Sequence, residues 1–165
     1  MSLLEICQQL QDSRIGMWIH SDLYFYPAIE TIHVLGLGIS VGTIIWFDLR
    51  ALGIGMRQQR VSRVFAAVKP WMLAGFVAMF LTGALMFWSK AAEFYINISF
   101  RVKVVGLVLA ACNAAYFHFK TQRGMTTWDD APSPPMGVRL AGAFSIILWA
   151  VIIAAGRMMA YTPPI

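Results

Sequence analysis

Glu30 and His33 are the residues of this chain whose types and spacing most directly suggest chemistry. They lie three residues apart, which places both side chains on one side of a helix. An imidazole can bind a metal or a haem iron, and a neighbouring carboxylate can accept or relay a proton. Both lie inside an apolar run, residues 27–47, where ionisable side chains are costly and therefore mark functional sites.

The composition predicts an integral membrane protein. Of the 165 residues, 59% are hydrophobic and 13% are charged, whereas a soluble domain carries about a quarter charged residues. Four segments are long and apolar enough to cross a hydrocarbon core about 30 Å thick, namely residues 27–47, 70–88, 102–119 and 138–160. We expect an all-α membrane protein, a four-transmembrane-helix antiparallel bundle forming one domain over residues 1–165. An amphipathic stripe at residues 3–19 predicts an N-terminal interfacial helix.

The basic residues indicate how the chain is oriented. Eight of the 13 Lys and Arg residues fall on the side of the membrane that holds the loops after the first and third spans, and five fall on the other. The excess predicts that those loops are cytoplasmic and that both termini are periplasmic, in a bacterial inner membrane. The net charge of +5 does not indicate nucleic-acid binding, because the cations flank spans and form no basic stripe.

Depth along the helices decides which ionisable groups can meet. His33 and Arg157 both lie about 9 Å from the outer ends of their helices, at a rise of 1.5 Å per residue. Lys103 begins the third span on that same side, and His20 lies just before the first span. His118 lies about 15 Å from His33 along the membrane normal, which argues against a single haem bound by both histidines.

Several interpretations of this outer group remain open. In the first interpretation, Glu30 forms an ion pair with Arg157 that only stabilises the bundle. In the second, His33 is an axial ligand of haem b, Arg157 and Lys103 neutralise its propionates, and His20, Met158 or Met159 is the second ligand. A copper or zinc site at His20, His33 and Glu30 is the third. A quinone pocket built from His33, Glu30 and Arg157 is the fourth. A di-iron centre lacks the second Glu-x-x-His motif that it needs.

Small and polar residues within the spans predict how the helices pack. Gly38 and Gly42 form a GxxxG pair, and further glycines occur in every span. Glycines let helix backbones approach closely in lipid, or else make room for a flat cofactor. Asn113 is expected to form an interhelical hydrogen bond, and Asp48 to pair with Arg50 or with Lys69 or Arg139.

The first span resembles the opening helix of an uncharacterised bacterial family of four-helix membrane proteins. The similarity begins at ETIHVLGLGISVGTIIWFDLRALG, residues 30–53, and continues through KPWMLAGFVAMFLTGALMF, NAAYFHF, WDDAPSPP and LWAVIIAAGRMMAY. The first helix is also similar, more distantly, to that of the HemJ-type protoporphyrinogen oxidases, although residues 39–42 read Ile-Ser-Val-Gly where that family has Trp-Phe-Ala-Gly. That similarity implies haem b bound through His33.

The sequence therefore predicts a small haem-binding membrane protein or subunit that takes part in electron transport. The alternatives are an accessory subunit that binds other membrane proteins or a second copy of itself, and a quinone-binding protein without haem. No nucleophile motif or phosphate-binding loop indicates a hydrolase, and the pattern does not decide whether the protein is an enzyme.

Overall fold

The computed structural model describes residues 1–121, 128–129, 131 and 133–162, and within these every regular element is helical. Four helices are long and apolar enough to cross a membrane. They are α3 (Phe25–Ala51), α4 (Val61–Ser89), α6 (Ile98–Tyr116) and α7 (Met136–Met158). A π-helical turn, Phe117–Thr121, continues α6. The predicted all-α, four-span membrane fold is confirmed.

Short helices join and precede the spans. The N-terminal segment forms two helices, α1 (Leu3–Gln11) and α2 (Arg14–Ser21), in place of the one expected over residues 3–19. The break arises because the Ser13 side chain accepts a hydrogen bond from the Gly16 amide and so caps a new helix. The third short helix, α5 (Ala91–Ile96), joins α4 to α6.

The second span is longer than the hydropathy pattern suggests. Residues 61–68, which precede the span predicted at residues 70–88, are the first turns of α4, and the helix continues through Pro70. Val61, Val64 and Val68 are buried against Phe47 and neighbouring apolar side chains. This apolar face stabilises the helix despite the backbone hydrogen bond that Pro70 cannot donate.

Close glycine contacts determine how the spans pack. A Cβ atom on Gly75 of α4 would lie 2.6 Å from the Ser40 Cβ and 2.7 Å from the Gly36 carbonyl oxygen of α3. Gly106 and Gly142 make similar contacts between α6 and α7 and between α7 and α3. Gly38 and Gly42, the predicted GxxxG pair, have nothing within 4 Å of such an atom. The helices that pack are therefore α3 with α4, α6 with α7, and α3 with α7.

The four spans leave a gap on one side. Among the described residues, α4 and α6 are neighbours in the bundle but lack close backbone packing. The bundle has two ends, which we name by their residues. The His33 end holds α2, α5 and the last turn of α7, and the Asp48 end holds residues 48–61 and the π-helical turn.

A buried arginine organises the Asp48 end. Arg50 has 0% exposure, and its Nε and Nη2 donate to the carbonyl oxygens of Gln59 and Ala131 at 2.8 Å and 3.2 Å. Asp129 accepts hydrogen bonds from the Ser62 amide and hydroxyl at 2.7 Å and 2.6 Å. These contacts tie the connection after α3 to residues 128–131 and cap the N-terminus of α4.

We expect replacement of Gly75 by valine to destabilise the fold by about 1–3 kcal/mol, because the added side chain separates α3 from α4. Gly42→Val is the matched control, since it adds the same side chain to a span where there is open space. Thermal denaturation of both variants in detergent measures the difference. Equal melting temperatures for the two variants would contradict the close α3–α4 contact.

We expect the stability of the N-terminus of α4 to depend on pH through Asp129. Burial acts to raise its pKa, but the two Ser62 hydrogen bonds and the charges of Arg60 and Arg50 outweigh burial and lower the pKa below 3.8. Because the pKa of Asp129 is lower in the folded protein than in the unfolded chain, the ionised carboxylate stabilises the fold. This stabilisation is complete above the unfolded-state pKa and is lost as the pH falls through the folded-state pKa. Hydrogen exchange at the Ser62 amide should show protection that is constant at neutral pH and lost in acid. Asp129→Asn should weaken this protection at neutral pH, and unchanged protection would contradict the assignment.

Candidate functional site

His33 is held by one hydrogen bond that also determines its tautomer. Its Nδ1 lies 2.9 Å from the Thr82 hydroxyl oxygen on α4, and that hydroxyl donates its single proton to the Ala78 carbonyl at 2.6 Å. The hydroxyl must therefore accept from His33, so Nδ1 carries a proton. In the neutral imidazole the lone pair is then on Nε2, which makes no hydrogen bond in the described part of the chain. A histidine in this state is a metal ligand with an oriented ring.

A glycine lies against the edge of the His33 ring. A Cβ atom on Gly83 would be 3.2 Å from the His33 Cε1, so a larger residue at this position would press on the ring. The Met79 carbonyl, on the same turn of α4, also interacts with the imidazole. One turn of α4 thus positions the histidine of α3.

Lys103 approaches the same region from α6. Its side chain is half-buried and lies over Gly156 of α7, where an added Cβ atom would be 3.7 Å from Nζ. Its ammonium interacts electrostatically with His33. Within the part of the chain that the structure describes, Lys103 has no hydrogen bond and no ion pair. An unpaired ammonium inside a span is costly, so an anionic group beside Lys103 would stabilise it.

The other predicted site residues are less closely associated with His33. Glu30 is exposed one turn before His33 and interacts with it electrostatically. Arg157 is exposed and donates to the Tyr161 hydroxyl at 2.9 Å, with its guanidinium 5.3 Å from that ring. No ion pair joins Glu30 to Arg157 among the described residues, so the structure does not form the pair that one interpretation expected. His20 is exposed on α2.

A metal site built only from protein ligands is not assembled in the described ranges. No group of three or more His, Cys, Asp or Glu side chains there could hold a metal ion, so His20, His33 and Glu30 do not meet as a copper or zinc site. Cys7 and Cys112 are free thiols. The residues that the structure does bring together are His33, Thr82 and Lys103, with Glu30 nearby.

A second polar site, which the sequence did not reveal, lies at the Asp48 end. A cavity of about 310 Å³ opens between α4 and α6, with α3 and α7 behind it. Aromatic and aliphatic side chains form most of its surface, among them Phe47, Phe65, Phe76, Phe117 and Trp149. Its polar side chains are Asp48, Asn113, His118 and Ser145.

The partners of these polar groups differ in part from expectation. Asn113 donates to the Ala141 carbonyl at 3.0 Å, which confirms the expected interhelical hydrogen bond. Asp48 forms no ion pair with Arg50; instead it accepts from Ser145, and its Oδ2 is buried without a partner among the described residues. The spacing of residues in the sequence could not predict this site, because the cavity exists only where the backbones of α4 and α6 do not pack closely together.

The fold and these sites define a multi-pass, four-helix membrane protein with polar groups inside an apolar bundle. Residues 20–162 match the model of a family of unknown function, DUF6644, and the chain belongs to that family. Comparisons with curated proteins and with solved structures give no match.

We expect Thr82→Val to release the His33 ring, because valine keeps the shape of threonine but removes the acceptor. The variant should lose about 1–3 kcal/mol of stability, since Nδ1–H is left without a partner. Thr82→Ser retains the hydroxyl and is the matched control. Nitrogen NMR of labelled histidine should show the Nδ1-protonated tautomer in the wild type and in Thr82→Ser only. An Nε2-protonated His33 in the wild type would contradict the assignment.

Proposed function

We propose that this protein binds haem b through His33 and takes part in electron transfer in the membrane. The observation that supports this most directly is a His33 ring oriented by Thr82, with no described side chain hydrogen-bonded to Nε2, and the nearby Lys103, whose ammonium has no ion pair among the described residues. Haem b carries both an iron that accepts imidazole and two carboxylates that require cations. The similarity of the first helix to HemJ-type proteins supports the same ligand.

The residues of the chain have distinct parts in this proposal. His33 provides one axial ligand, and the Thr82 hydroxyl fixes the ring and raises the basicity of Nε2. Lys103 would neutralise one of the two haem propionates. Gly83 and Gly156 let the His33 ring and the Lys103 side chain lie close to the backbones of α4 and α7. When bound, haem supplies one-electron transfer, which no side chain of this site performs by itself.

Two of the expected roles change. Arg157 is engaged with Tyr161 on an exposed surface, so we assign the carboxylate contact to Lys103. Glu30 is at the exposed edge of the site, where it can exchange protons with the surroundings. In this proposal His33 would hold the iron, and among the described residues none of the candidates His20, Met158 and Met159 is hydrogen-bonded to it.

We further propose that the chain is in a bacterial inner membrane with both termini in the periplasm. The excess of cations that the sequence has around the loops after the first and third spans, eight against five on the other side, supports this orientation. The haem would then lie in the periplasmic half of the membrane.

Absorption spectroscopy tests the haem proposal. Protein expressed with ample haem and purified in detergent should show a Soret band that shifts on reduction by dithionite. His33→Ala should lose the band, and Lys103→Met should weaken haem binding by about tenfold or more, because it removes a charge-assisted contact. His118→Ala is the control at the opposite end of the bundle and should keep the spectrum.

A folded wild-type protein that remains colourless with ample haem would contradict the proposal and favour a non-catalytic accessory subunit. A Soret band that persists in folded His33→Ala would remove His33 as the ligand. Circular dichroism and a monodisperse elution profile establish that each variant is folded.

A further inference from the structure

The cavity at the Asp48 end is separate from the His33 site. No residue belongs to both sites: on α3 the lining residue Ile44 follows His33 by 11 positions, about 17 Å, and on α4 Phe76 precedes Thr82 by six positions, about 9 Å. A cavity of about 310 Å³ is at the lower end of the range for ligand sites, about 300–1,000 Å³. Its opening lies where α4 and α6 do not pack, and both helices expose apolar side chains there. The cavity is therefore accessible from the hydrocarbon core of the membrane.

The walls of the cavity suit a flat, apolar ring. Phe47, Phe65 and Phe117 form a cluster with centroid separations of 5.2–6.2 Å. Phe76 and Trp149 form a second pair at 5.7 Å. Aromatic side chains at such separations provide faces and edges against which a planar ligand can stack.

The polar groups of the cavity have unused hydrogen-bonding capacity. Asp48 is only 5% exposed, and its Oδ2 has no partner among the described residues. One N–H of Asn113 is bound to Ala141, which leaves the second N–H and the amide oxygen. A buried polar atom without a partner costs free energy in an apolar bundle, so a ligand that supplies one is favoured.

We propose that this cavity binds the head group of a membrane quinone, which enters from the lipid between α4 and α6. The ring stacks among the aromatic side chains, and its oxygens accept hydrogen bonds from the second N–H of Asn113 and from Oδ2–H of Asp48 in its protonated form. The isoprenoid tail remains in the hydrocarbon between the two helices. This site is independent of the haem proposal, because no residue is shared between the two sites.

Charge excludes the other common lipophilic ligands. No Lys or Arg occurs among the described residues that line the cavity, whereas a phospholipid phosphate or a haem propionate would require one. A quinone carries hydrogen-bonding oxygens without net charge and so matches the cavity.

Binding of a short-chain ubiquinone to the detergent-purified protein, measured by calorimetry, tests this proposal. Ala114 lines the cavity and Ala115 is the next residue, exposed and outside the lining. Ala114→Phe should weaken binding by about tenfold or more, because it fills the space for the ring, and Ala115→Phe should not. Asp48→Leu should weaken binding by about tenfold, since it removes one hydrogen-bonding group.

Equal affinity in Ala114→Phe and Ala115→Phe, or no saturable binding by the folded wild type, would overturn the proposal. If Ala114→Phe fails to fold, Ala111→Leu provides a smaller obstruction in the same lining. The visible spectra of these variants separate the two proposals, because loss of quinone binding should leave any haem at His33 unchanged.

Discussion

The close approach of α3 to α4 and α7 is the constraint on which the rest of the structure depends. Lipid chains are as apolar as leucine side chains, so spans associate through close packing more than through the hydrophobic effect. Gly75 and Gly142 provide that packing on either side of α3, at Ser40 and at the Asp48 carbonyl. Because α3 carries His33 near one end and Asp48 near the other, these two contacts also position both polar sites.

The packing of α3 explains why the bundle has a side opening. Among the described residues, two helix pairs, α3 with α4 and α6 with α7, pack their backbones together through α3 and α7, while α4 and α6 meet through side chains such as Phe87 and Phe100. The remaining edges, those of α4 and α6, face each other across the cavity. A bundle in which all neighbouring spans packed closely would have no room for a ligand beside Asp48. The polar side chains of α3 and α7 would then have to satisfy one another.

The sequence predicts the spans well because lipid imposes a length and an apolar composition on any helix that crosses it. The prediction is wrong about where the second span begins, at residue 70 instead of Val61. The apolar stripe formed by Val61, Val64 and Val68 is the same for a surface helix and for a buried one. Depth arithmetic correctly places His33 and Lys103 at one level. It cannot give rotation about a helix axis, so it also places Arg157 there, although that side chain faces outward to Tyr161. The Thr82 hydrogen bond and the cavity depend on tertiary packing, which no local pattern contains.

The distinction between structural and functional charges in this protein follows from their partners. Arg50 is fully buried, but two of its three nitrogens donate to backbone carbonyls and Asp129 lies near its charge. Such an arrangement joins segments of chain, although the third nitrogen of Arg50, Nη1, is buried without a partner among the described residues. Lys103 and the Oδ2 of Asp48 are also within spans, yet the described residues offer them no such partners. The fold places His33 near Lys103, and it places Asn113 in the same cavity as Asp48. The unmet requirement for a partner is therefore the physical reason to expect a ligand at each end of the bundle.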